Sequence, residues 1–283
     1  MGRLYKRDPG MTSLRILVTN DDGVGAPGID ALTRALSALP GADVTVVAPA
    51  SNQTGASGTI TTSAFDVIPA ATASGHRATA VVGSPSDAVL FALRQQLPEP
   101  PTLVVAGINE GPNLADFVTM SGTVAAALSA ARLGIPALAV SLGLSARMEY
   151  DAAARFTAAI VTRYREDARF RASMRLDGPR RIGVVLNVNV PAVPARGVRV
   201  VPLGRIAEVT GYVGKGESGG RVTWEPVVVM EDITRVHHGS TLTAPTTDLE
   251  AFVHGFVAVT PLLSDLTLAA ALDDFSFVEG MTP

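Results

Sequence analysis

Arg15-Ile16-Leu17-Val18-Thr19-Asn20-Asp21-Asp22-Gly23 decides the fold of this chain. Its first five residues are mostly apolar and branched, without the polar alternation of a half-exposed strand, and they stop abruptly at an acidic turn. Apolar residues then recur at Ile29, Leu32, Leu36 and Leu39, the spacing of one helix face. A strand that is apolar throughout, followed by an amphipathic helix, belongs to a parallel sheet covered on both faces.

The pairing repeats downstream. Val44–Ala48 is a second apolar strand, ended by Pro49. Pro85 and Ser86 open a helix over Ser86–Leu97, followed by the strand Leu103–Ala106. Thr123–Leu133 reads as a helix and Ala137–Ser141 as another buried strand. The expected fold class is therefore α/β, a Rossmann-like, doubly wound and mostly parallel sheet. It is expected to occupy residues 14–178, after a disordered leader at 1–13.

Residues 179–283 are expected to form a C-terminal region. The expected elements around the boundary are a long helix over Asp151–Met174 and a strand over Arg181–Val190. A β-hairpin arm follows within 198–236, with a flexible glycine-rich tip at Gly211–Gly220. Thr247–Val253, Gly255–Thr260 and Ser264–Phe275 supply a closing helix, strand and helix. A thin projecting arm cannot form a core alone, which points to packing within a dimer or larger assembly.

Composition narrows the function. Of 283 residues, 47% are hydrophobic and 17% charged, and the formal charge is -3, so extended nucleic acid is a poor substrate. With no cysteine, any metal must be held by oxygen or imidazole. The Ala-rich run 118–144 is interrupted by Arg132 and Pro136, so no membrane span is expected there, and a cytoplasmic enzyme fits. His76, His237, His238 and His254 lack metal-type spacing.

In an open parallel sheet, ligands bind beyond the carboxyl ends of the strands. Four polar clusters fall there. Asn20-Asp21-Asp22-Gly23 places two carboxylates side by side, and holding both ionised needs a cation such as Mg²⁺ or Mn²⁺. An Asp-Gly hairpin turn is the plainer reading, but a helix follows instead of a strand. Ser51–Ser57, including Thr54, offers hydroxyl and amide oxygens as weak neutral ligands or as a surface turn. Gly107–Asn113 presents Asn109, able to give a carbonyl oxygen to a metal or its NH₂ to phosphate. Ser121-Gly122-Thr123 opens a helix, where free N–H groups and the positive dipole end attract an anion. The dinucleotide pattern Gly23-x-Gly25-x-x-Gly28 also occurs, but the second strand ends in Ala48-Pro49-Ala50 with no acid for a ribose.

These clusters together resemble the SurE nucleotidases. The resemblance rests on Ile16–Gly23 with Ala26-Pro27-Gly28, Val46–Pro49 with Gly55-Ala56-Ser57, Gly83–Asp87, Gly107–Asn113 and Ser121–Ala127. It continues through Pro136–Ser141, Asn187–Pro191, Thr247-Asp248 and Thr260-Pro261-Leu262. It implies a phosphatase acting on nucleoside 5′- or 3′-monophosphates, with one divalent metal ion per subunit. It also implies C-terminal elements swapped between subunits of a homo-dimer or homo-tetramer. The implied metal ligands are Asp21, Asp22, Thr54 and Asn109, and the phosphate turn is Ser121, Gly122 and Thr123. Asn20, Asn109 and Asn113 are the further expected phosphate contacts, and Asp21 and Asp22 the catalytic pair. Asp21 would act as nucleophile or as the base orienting water. The chain departs from the family at Thr54 for a usual Ser, at Ala50 and Ser51 for an acidic and a basic residue, at Ala115 for Gly and at Met120 for Tyr. The rival readings are a phosphatase of a non-nucleotide ester, a nucleotide-binding protein without catalysis, and an NAD(P)-dependent oxidoreductase.

Overall fold

Strand β1 (Leu14–Thr19) sends Ile16 and Val18 to one face and Leu17 to the other, all three buried. Both faces must therefore be covered. In the computed structural model, which describes residues 13–176, 182–205, 209–218, 221–228 and 242–265, they are. The face of Ile16 and Val18 packs on α1 (Pro27–Ser37) through Ile29, Leu32 and Leu36, and on α4 (Asp151–Glu166) through Val161 and Tyr164. Leu17 faces α2 (Pro85–Phe91) and α3 (Gly122–Ala131), through Val89, Ala126 and Ala130.

The strands are β2 (Ala42–Pro49), β3 (Val67–Ala71), β4 (Arg77–Val81), β5 (Leu103–Glu110), β6 (Ala137–Leu142), β9 (Val185–Val190), β10 (Val198–Val200) and β13 (Val257–Leu262). With β1 they form one nine-stranded sheet, ordered β10-β13-β9-β6-β5-β1-β2-β4-β3. All neighbouring pairs are parallel except β3 with β4 and β13 with β9. The chain winds outward from β1 through β2 to β4, then returns to the other flank of β1 as β5 and continues through β6 to β9. The reversal leaves a crevice at the carboxyl ends of β1 and β5, the usual ligand position in such sheets.

Close packing explains part of the glycine pattern. A Cβ on Gly28 would lie 2.0 Å from the Ile108 carbonyl oxygen, whereas one on Gly25 would meet nothing within 4 Å. Gly28 thus lets α1 ride against β5, and Gly25 has no comparable constraint.

Several expectations change. The helix expected over Asp151–Met174 breaks at Asp167, whose backbone is extended and whose carboxylate accepts the Arg169 and Phe170 N–H groups. A second helix, α5 (Ala168–Ser173), starts there because the cap satisfies otherwise orphaned donors. The strand expected from Arg181 divides at Val184. Its first part, β8 (Ile182–Gly183), pairs with β7 (Arg175–Leu176), and β9 follows. The glycine-rich segment is largely strand. β11 (Val209–Ser218) contains Gly211, Gly214 and Gly216, and pairs antiparallel with β12 (Arg221–Val228) through two irregularities. The antiparallel pair β3–β4 was not foreseen. The run 118–144 becomes α3 and β6, and among the described residues no helix is long and apolar enough to cross a membrane. The expected leader, apart from Ser13, and the closing helix beyond residue 265 lie outside the described residues.

Candidate active site

Asp21 leaves β1 into the crevice and is almost wholly buried, at 2% exposure. Its carboxylate meets the start of α3. Thr123 Oγ1 donates to Asp21 Oδ1, and a Cβ on Gly122 would lie 2.8 Å from both Asp21 Cβ and Oδ2. Only glycine allows the helix to approach so closely. Ser121 caps α3, accepting the Val124 N–H at 3.1 Å. Burial raises the Asp21 pKa, and the Thr123 hydroxyl opposes that rise without cancelling it.

Asp22 is half-buried. Burial, then the charge of Asp21, push its pKa up to about 6, with Glu110 adding a smaller push. The Glu110 backbone N–H, 3.4 Å from Asp22 Oδ2, works weakly the other way. Tyr150 closes this corner, its hydroxyl 3.5 Å from Glu110 Oε2. Burial and the charges of Glu110 and Asp22 raise the Tyr150 pKa to about 12. Glu110 is not among the residues expected from the sequence to serve the site. It is exposed, yet its charge belongs to the site. Nothing local marks Tyr150, which arrives from the start of α4.

Gln53 donates its backbone N–H to the Asp21 carbonyl at 2.7 Å, which pins the loop bearing Thr54 to the turn after β1. Thr54 itself is exposed, with its N–H on Asn52 Oδ1. Asn109, at the end of β5, gives its Nδ2 to the Gly111 carbonyl at 2.7 Å, leaving its Oδ1 as the end free to meet a ligand. Asn20 similarly gives Nδ2 to the Gly23 carbonyl, and its Oδ1 is buried without a partner. Asn113 differs: its Nδ2 donates to Ser141 Oγ at 2.9 Å, so the amide expected to reach phosphate is engaged within the fold. The crevice thus brings Asp21 against Gly122 and Thr123 and Asp22 against Glu110, with Asn109 next to Glu110 at the end of β5, Thr54 on an adjoining loop and Asn113 engaged within the fold.

Among the described residues, neither Asp21 nor Asp22 pairs with an Arg or Lys. Also among them, no three His, Cys, Asp or Glu side chains form a group that could hold a metal. An ion here would therefore draw on two carboxylates, neutral amide and hydroxyl oxygens, and water. That hard, oxygen-only set suits Mg²⁺ or Mn²⁺, and the uncompensated carboxylates supply the reason to bind one.

A switch-point crevice with paired acids facing a helix N-terminus belongs to a doubly wound, mostly parallel α/β protein. A family model described as "Survival protein SurE" matches residues 16–210. The chain belongs to the SurE family. It is 37% identical over 266 residues to the 5′-nucleotidase SurE of Symbiobacterium thermophilum, covering 91% of this chain and 95% of that protein. It is 38% identical over 277 residues to the 5′/3′-nucleotidase SurE of Salmonella typhimurium, covering 92% and 94%. The crystal structure of the SurE protein from Aquifex aeolicus superposes with a TM-score of 0.74 at 29% identity, covering 94% of this chain and 99% of that one.

Proposed function

We propose that this protein is a metal-dependent phosphomonoesterase that hydrolyses nucleoside 5′- or 3′-monophosphates. The observation carrying this reading is the Asp21–Asp22 pair, without an Arg or Lys partner among the described residues, whose buried Asp21 is set against the first turn of α3. The nucleotidase names of the Symbiobacterium and Salmonella relatives support the substrate class. Asp21, Asp22, Thr54 and Asn109 would hold one divalent ion, which supplies neutralising charge to the phosphate oxygens.

The chain's own groups do the rest. Asp21, oriented by Thr123, faces the phosphorus as nucleophile or as the base that orients water. The first turn of α3 directs its positive end at the equatorial oxygens, where phosphoryl transfer most needs stabilisation. Gly122 keeps that turn clear of any side chain. Tyr150 and Glu110 wall the crevice on the α4 side. Trapping a labelled phospho-enzyme would assign Asp21 as nucleophile; fast turnover without one would assign it as base.

The test is a panel of nucleoside monophosphates and non-nucleotide phosphate esters, assayed with and without Mn²⁺ or Mg²⁺, for wild type and Asp21→Asn. Metal-stimulated hydrolysis, fastest on nucleotides and lost in the variant, is the expected result. Equal activity in both proteins would remove the assignment. We propose also that residues 14–178 form the catalytic unit and that the β11–β12 arm packs against another copy in a homo-dimer or homo-tetramer. The exposed Tyr212 and Trp224 on that arm support this. Sedimentation of wild type against Trp224→Glu tests it, with a shift toward monomer expected.

A further inference from the structure

Between Asn109 and Ser121 the chain crosses from β5 to α3 and joins two parts of the crevice. Its backbone turns there through Ala115, a non-glycine residue at φ +51 that is fully buried. A left-handed conformation costs an alanine energy, so something must hold it. The Asp248 carboxylate does so, accepting the Ala115 N–H on Oδ2 at 2.9 Å. Its Oδ1 accepts the Gly204 N–H at 2.7 Å and the Leu249 N–H at 2.8 Å.

Asp248 has 0% exposure and stands at the start of α6 (Asp248–Val253). Among the described residues its carboxylate is held by three backbone N–H groups. Burial raises its pKa, and those three donors oppose the rise. Two residues before Ala115, a second fastening acts on Asn113. The Asn113 N–H donates to Asn189 Oδ1 at 2.7 Å. Its carbonyl accepts Asn187 Nδ2 at 2.8 Å and Asn189 Nδ2 at 3.0 Å. Both asparagines lie on β9 and are fully or almost fully buried. Such buried side chains satisfy loop backbone groups that would otherwise be orphaned.

We propose that Asp248, with Asn187 and Asn189, is a positioning set for the phosphatase reaction. It fixes the 109–121 connection so that Asn109 and the first turn of α3 converge on Asp21. None of the three touches the reacting atoms. The proposal rests on the phosphatase reading above, because a rate is what the positioning serves.

Asp248→Asn is the sharpest probe. The amide keeps the carboxylate's shape but has one acceptor oxygen, so either Ala115 or the Gly204–Leu249 pair must face an N–H with an N–H. The full-length variant is assayed on p-nitrophenyl phosphate with Mn²⁺, with kcat and KM separated. Mn²⁺ affinity is measured by calorimetry, and the folded fraction by thermal melting. The comparison variant is Tyr164→Phe, which removes a hydrogen bond to the Thr102 carbonyl at the amino end of β5, the end away from the crevice.

Asp248→Asn should lower kcat about tenfold to a hundredfold, the cost of misplacing groups by roughly an ångström. Its Mn²⁺ affinity should also fall several-fold, with KM changing less. Tyr164→Phe should leave kcat and Mn²⁺ affinity at wild-type values even as its melting temperature falls. An active wild type with unchanged kcat and Mn²⁺ affinity in Asp248→Asn would overturn this proposal alone. A wild type inactive on every ester would instead overturn the phosphatase reading on which it stands.

Discussion

Asp30 and Asp22 lie eight residues apart, both on the turn-and-helix segment after β1, and the fold treats them oppositely. Asp30 works against burial but accepts the Thr72 hydroxyl at 2.6 Å, the Ser74 N–H at 2.7 Å and the Arg34 guanidinium at 3.2 Å. Those donors win, and its pKa falls to about 2. Asp87 is similar: burial opposes its charge, yet contacts from Thr61 and Ser84 hold its pKa low while it caps α2. Asp22 receives one long backbone contact and two neighbouring negative charges. A carboxylate ringed by donors is a staple that serves the fold. One left without donors beside another acid is a demand for a cation, and it serves chemistry at the expense of stability.

The largest expected effect separates the two kinds. Asp21→Asn should reduce turnover by about a thousandfold or more, the scale for removing one member of a catalytic set. It should leave the melting temperature of the metal-free protein unchanged or higher, because a buried charge is removed. A marked loss of stability in Asp21→Asn would make that residue a staple like Asp30 and erase the contrast.

Metal removal comes next. Chelation should abolish hydrolysis, and Mn²⁺ should restore it. At a hundred times Kd, bound ion should also stabilise the folded chain by about 2.7 kcal/mol. Calorimetric melts should show that gain in wild type and lose it in the Asp21→Asn/Asp22→Asn double variant.

Gly122→Ala should follow. Its methyl group would meet the Asp21 side chain at 2.8 Å, so helix or carboxylate must shift. A destabilisation of about 1–3 kcal/mol is expected, with a fall in kcat larger than the fall in folded fraction. Wild-type kcat in this variant would show that the helix can retreat without harm.

The smallest effect concerns pH. A depressed carboxylate pKa gives stability that is full above the unfolded value and lost as pH falls through the folded one. Asp30 should therefore support the fold above about pH 4 and lose that contribution as pH drops toward about 2. Asp30→Asn should be less stable than wild type at pH 7, with a difference that narrows on acidification. Activity near neutrality should follow the folded fraction only. A pH-independent difference would contradict the staple reading.

Much of this was legible in the chain because local patterns and topology agree. The apolar runs at Ile16–Val18, Val46–Ala48 and Val104–Ala106 are buried central strands, and the acidic turn after the first of them sits at the winding reversal. The unread parts depend on distant partners. β3 includes Pro69 and exposed Ile68, features of an edge strand that no core pattern announces. Asp167 falls inside the helix expected over Asp151–Met174, and only the fold shows that it ends one helix and caps the next. Asn187, Asn189 and Asp248 fall in segments that carry the family resemblance, but the sequence alone gives them no role. Their importance comes from meeting loop backbone across separations such as Asp248 to Ala115, 133 residues apart. Glycines within β11 suggested a loop because propensity alone ignores cross-strand pairing.

The antiparallel insertion of β13 between β9 and β10 also has a consequence for biosynthesis. On the ribosome, β9 emerges long before the strand that will cover its outer flank. During that interval an apolar ladder has unsatisfied donors and acceptors on one side, an invitation to mispairing with other nascent chains. Cells translating this message slowly near its end would prolong that exposure, and their yield of folded product would depend on chaperones that shield strand edges.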